Sequence, residues 1–161
     1  MKFILAGMTL NFFFLNFWGL NWILPLAGAV LLILGFRSLW GVSRWFQTGY
    51  NLSVIRLLLL LLELVGNWGL LLLLQLANAA VMLSLCFFLW KGLQEVLNRV
   101  DPRRDAECGI ALVLWCAAMT LINLLGGGWL MVFLILLVCY ILILRKIYIL
   151  YAELKEKGGF E

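Results

Sequence analysis

The chain has 161 residues, of which 66% are hydrophobic and 12% charged, with a mean hydropathy of +1.10. Soluble domains are nearer half apolar, and so few charged side chains cannot clothe a water-facing surface, so the composition excludes an ordinary soluble domain and makes lipid the solvent for most of the chain. Twelve basic against eight acidic residues leave a net charge of +4, with no histidine to supply imidazole acid–base chemistry or metal ligation, and in such a chain the basic excess belongs to topology and lipid headgroups before nucleic acid.

A backbone in lipid must satisfy its own hydrogen bonds, which leaves helices or a closed barrel. The Leu-rich runs show no period-two alternation, against a barrel. The expected class is therefore an all-α integral membrane protein.

The first apolar run covers about residues 3–36, and Phe3 to Phe36 carries no charge over 34 residues. Lys2 followed by this run, with Leu26-Ala27-Gly28-Ala29 further on, has the outline of a signal peptide. The run is far longer than the roughly 7–15 residues of an ordinary signal core, so we read it as uncleaved membrane segments. It is broken by Asn16, Trp18-Gly19, Asn21 and Pro25. The second run, 54–90, is broken by Gly66-Asn67-Trp68-Gly69, and the third, 108–144, by Gly126-Gly127-Gly128-Trp129.

Each run is too long for one span of about 20 residues and suits two. Gly and Asn permit tight turns, and Trp favours the membrane–water interface. The spacing predicts spans at 3–17, 22–40, 51–65, 70–90, 107–125 and 129–150. They form six transmembrane helices in three outward-pointing hairpins, about 3–40, 51–90 and 107–150, with a cytoplasmic tail at 151–161. The chain is expected to be one domain over 1–161. Trp18-Gly19-Leu20 aligns with Trp68-Gly69-Leu70, and Leu26-Ala27-x-Ala29 with Leu76-Ala77-x-Ala79, at the same offset.

All twelve basic residues, Arg56 included, fall outside the three turns and are assigned to the open ends of the hairpins. The positive-inside rule then makes those ends and both termini cytoplasmic. Between the first two hairpins, residues 38–50 place Trp40, Trp45, Phe46 and Tyr50 beside Arg37 and Arg44, as suits a segment in the headgroup layer. Asp101 and Pro102 are expected to open the fifth helix, with Asp105 and Glu107 at its positive end. Glu153 and Lys157 are an expected i,i+4 pair, and Gly158-Gly159 an expected helix stop.

Glu63 is the one acid inside an apolar run, about 5 Å below its turn at 1.5 Å per residue. Asn11, Asn16, Asn67, Gln75, Asn78, Thr120 and Asn123 fall at similar depth, so the spans carry a polar belt in the outer leaflet. An intramembrane acid is a functional candidate by default, and the candidate ligand-binding set is Glu63, Asn67, Gln75, Asn78, Asn11 and Asn123. The competing reading is interhelical hydrogen-bonding that holds the helices together. The four cysteines, 86, 108, 116 and 139, form no C-x-x-C pair and read as small hydrophobes. No phosphate loop, nucleophile–base pair or metal cluster is evident, so neither an enzyme nor a cofactor is expected.

Gly19-Leu20-Asn21, Leu24-Pro25, Gly28 and Gly35-Phe36-Arg37-Ser38-Leu39 resemble the opening of small multi-pass membrane proteins of Firmicutes that have no assigned function. In those proteins an acid commonly follows the Leu-Pro; here Leu26 does. The resemblance spans about the first 40 residues and implies a bacterial inner-membrane location, with no activity attached. Vitamin-binding subunits of energy-coupling-factor transporters share the size but no motif. The leading expectation is a non-enzymatic protein that binds the bilayer and another membrane protein, or tunes a membrane process. The alternative is a small-solute or ion binding or transport subunit built on the belt around Glu63.

Overall fold

The structure is a computed structural model that describes the backbone of residues 1–12, 20–65, 68–124 and 130–160 and the side chains of 1–11, 23–64, 73–122 and 135–160. Among the described residues the chain is all-helical, with six helices: α1 Lys2–Phe12, α2 Leu20–Arg37, α3 Arg44–Val65, α4 Trp68–Val100, α5 Glu107–Leu124 and α6 Leu130–Glu156. The expected turns fall at or beside undescribed stretches; Trp68 and Gly69, expected in a turn, already belong to α4.

Segments of α3 (Arg44–Leu64), α4 (Leu73–Val100) and α6 (Ile135–Glu156) are long and apolar enough to cross a membrane. Only 17% of the most apolar stretch of α6 is buried. Ile135, Val138, Ile141 and Leu142 point outward, as they do on a helix solvated by lipid. Ile23–Arg37 and Glu107–Ile122 are shorter apolar helices.

The chain forms two compact units, Met1–Leu85 and Cys86–Glu161, with α4 running through the division. In the first, α1 lies against α2 through glycines. A Cβ on Gly7 would stand 2.7 Å from the Gly28 carbonyl oxygen, and one on Gly35 would strike Ile4. Only glycine permits this backbone approach. Pro25 has no N–H for the Asn21 carbonyl, yet α2 continues through it.

Residues 38–50 are not one interfacial segment. Ser43 caps a helix, its Oγ accepting the Trp45 N–H at 3.2 Å, and α3 begins at Arg44. Trp40 and Trp45 are exposed, as headgroup anchors would be, but Phe46 is fully buried and packs on Phe36 with ring centroids 6.4 Å apart. Its apolar neighbour is another helix, not lipid.

The second unit continues past the apolar run. α4 has 33 residues, about 50 Å at 1.5 Å per residue, well beyond a hydrocarbon core of about 30 Å. Its extension buries Leu93, Val96 and Leu97 at helical spacing, alongside Ala106 and, from α6, Ile147, Leu150 and Leu154. Trp115 of α5 stacks on Tyr140 of α6 at 4.4 Å and donates to the Leu136 carbonyl at 2.7 Å.

The link between α4 and α5 differs from expectation. Asp101 Oδ1 accepts the Arg103 N–H at 3.3 Å, closing a turn that ends α4; it does not cap α5. Gln94 ties the link down instead, accepting the Ala106 N–H at 2.6 Å and donating to Asp105 at 3.1 Å. Glu153 pairs with Arg104 at 3.2 Å in place of Lys157. α6 does stop at the two glycines. Gly158 has φ 74°, its N–H reaches the Lys155 carbonyl, and the Gly159 N–H reaches that of Leu154. These are the paired bonds of a Schellman stop.

Candidate functional site

α3 carries two charges on one side of its axis. Arg56 and Glu63 are seven residues apart, two turns or about 10 Å. Each meets an amide from a different helix of the first unit.

Arg56 is 6% exposed and Asn11 5% exposed. Arg56 Nη2 donates to Asn11 Oδ1 at 2.7 Å, while Asn11 Nδ2 donates to the Gly7 carbonyl of its own helix at 2.6 Å. Gly28 makes this possible, because a Cβ there would strike the Asn11 side chain and stand 2.8 Å from the Gly7 oxygen. The sequence reading put Arg56 at the open end of a hairpin as a topological charge. Arg56 is buried instead because of where the helix starts. Capped at Ser43, α3 has run twelve residues, about 18 Å, before it reaches Arg56.

Glu63 is half-buried, and its Oε1 accepts a 2.9 Å hydrogen bond from Asn78 Nδ2 of α4. The other Asn78 amide atom, Oδ1, is buried and has no hydrogen-bond partner among the described residues. Gln75 lies one turn away on the same side of α4, exposed and without a side-chain hydrogen bond among the described residues. The candidate set is thus divided. Glu63 and Asn78 meet between α3 and α4, with Gln75 one turn away along α4, while Asn11 belongs to the buried arginine. Asn16, Asn67 and the Asn123 side chain lie outside the described residues. Thr120 donates to the Cys116 carbonyl of its own helix at 2.9 Å.

Chemically, Glu63 offers a half-open carboxylate beside the Asn78 amide, able to take a hydrogen-bond donor or a cation. Arg56 is a fixed positive charge, since guanidinium keeps its proton. The described residues hold no group of three or more potential metal ligands. Cys86 and Cys116 are buried, as small hydrophobes would be. The chain matches no family model, no curated protein and no solved structure.

Proposed function

We propose that the chain is a multi-pass protein of a bacterial cell membrane, with six spans in three outward-pointing hairpins and both termini cytoplasmic. It works without catalysing a reaction, by binding another membrane protein inside the bilayer. The observation that carries this is Gln75. Its amide stands exposed on an apolar helix, about 10 Å from the α4 start, with no hydrogen bond among the described residues. A bare amide in hydrocarbon is costly, and a polar group on a facing helix removes that cost. Leu73 and Leu76 beside it are exposed too, so a partner helix finds apolar contact around the amide.

A photo-crosslinking side chain at Leu76 should give one discrete adduct in cells, lost on Gln75→Leu. The same group at Leu114, exposed on α5, should give none. Equal adducts at both sites would mean random neighbours and overturn the reading. The second reading, solute or ion binding at Glu63, draws support from its half-exposed carboxylate. It requires ion-dependent melting that Glu63→Gln removes.

A further inference from the structure

The start of α5 packs on α4 where the apolar stretch of α4 ends, and lies within electrostatic reach of the first charges of α6. Trp90 is the last apolar residue of its run in α4 and packs against Gly109, where a Cβ would stand 2.9 Å from the Trp90 Cβ. Lys146, one of the first two charges after the apolar run of α6, lies near enough to Cys108 to act on its thiol electrostatically. Lys91 is not loose. Its ammonium sits 4.7 Å from the Trp90 ring centroid and 5.7 Å from that of Phe87. Such contacts hold a lysine beside its rings while leaving donor hydrogens to spare.

Lys91, Arg145 and Lys146 form no ion pair among the described residues, and Arg145 and Lys146 are exposed. Arg99 and Arg104, further along, are tied to Glu95 and Glu153. Glu107 lies beside this rim and Glu95 one turn beyond Lys91, the latter paired with Arg99, which leaves the rim net positive. Three cations and a tryptophan where apolar helices end are complementary to the anionic headgroup layer of a membrane.

We propose that this rim binds the phosphodiester of an anionic phospholipid, with Lys91 and Lys146 as its two cationic contacts. The proposal rests on α4 and α6 crossing the bilayer. In the test, the full chain is reconstituted in phosphatidylcholine vesicles with and without phosphatidylglycerol, and insertion is checked by resistance to carbonate extraction. Phosphatidylglycerol should raise the melting temperature by a few degrees. The Lys91→Gln/Lys146→Gln double variant should lose that rise, and Lys155→Gln/Lys157→Gln should keep it. Inorganic phosphate added to phosphatidylcholine vesicles should give no rise. An inserted wild type that melts identically in both lipids would overturn the headgroup site alone, as would equal losses in the two double variants or a rise produced by free phosphate. Failure to insert would overturn the membrane reading and the site with it.

Discussion

Arg56 and Asn11, 45 residues apart in sequence, meet in a 2.7 Å hydrogen bond buried in the first unit. A guanidinium kept from water depends on its acceptors, and leaving a buried donor without one costs about 1–3 kcal/mol, at the upper end for a charged group. Asn11→Leu should therefore lower thermal stability in detergent by an amount in that range. Arg56→Met in the same background should restore part of it, because the stranded charge is gone. Strictly additive losses in the two-residue cycle would show that the bond is incidental.

Gly28 is the second half of that arrangement. A methyl there strikes the Asn11 side chain and crowds the Gly7 carbonyl, whereas one at Gly41 meets nothing within 4 Å. Gly28→Ala should cost about 1–3 kcal/mol, the range for forced overpacking. Gly41→Ala should change stability little. Equal melting temperatures for the two variants would contradict the close α1–α2 approach.

The helices themselves were legible in the sequence because long apolar runs leave few alternatives in lipid. Their ends were less so. Hydropathy stops α4 near Lys91, but Leu93, Val96 and Leu97 recur at helical spacing, and the helix continues by burying them in protein. The Glu63–Asn78 contact was foreseeable from the expected second hairpin, which would bring its two legs together. The Arg56–Asn11 contact was not, because it depends on a missing side chain at Gly28 and on α3 starting early at Ser43. A charge count treats every arginine as a surface marker. The internal repeat does carry a hint. Gly28 and Asn78 occupy matching positions in the two Leu-Ala-x-Ala strings, and each lies against one of the two polar pairs.

Glu63 separates packing from ligand chemistry. Glu63→Gln keeps the shape and still accepts from Asn78, so stability should fall by less than about 0.6 kcal/mol, the average for an interhelical hydrogen bond in a membrane. Glu63→Leu removes the acceptor and should cost on the order of 1 kcal/mol. Thermal melting in one detergent checks both. A large loss in Glu63→Gln would mean that the charge itself is needed, and would favour a bound cation.

At the other end of the chain, Gly158 at φ 74° closes α6, and Phe160 folds back onto Tyr151 with ring centroids 4.9 Å apart. A side chain in the left-handed region costs about 1–2 kcal/mol. Gly158→Ala should destabilise by that order and loosen Phe160, read as faster amide exchange over residues 155–160. Unchanged exchange would place no weight on this stop.

The orientation of the whole chain is the last prediction, and it follows from charge and helix ends together. Gly41 and Arg103 lie in the turns that separate α2 from α3 and α4 from α5, and Gly159 follows α6. All three sit among basic residues: Arg37 and Arg44, then Arg99 and Arg104, then Lys155 and Lys157. The segments around Gly19, Gly69 and Gly127 hold none. Lys and Arg resist translocation, so the first group should stay in the cytoplasm and the second should face outward. The buried place of Arg56 removes one charge from the cytoplasmic count but adds none to the outer side. Paired reporter fusions, one enzyme active only outside and one active only inside, should divide these six positions three and three. An inside signal at Gly69 would join α3 and α4 on the cytoplasmic side and end the three-hairpin arrangement. An outside signal at Gly159 alone would leave the first two hairpins, break the third and require an odd number of crossings.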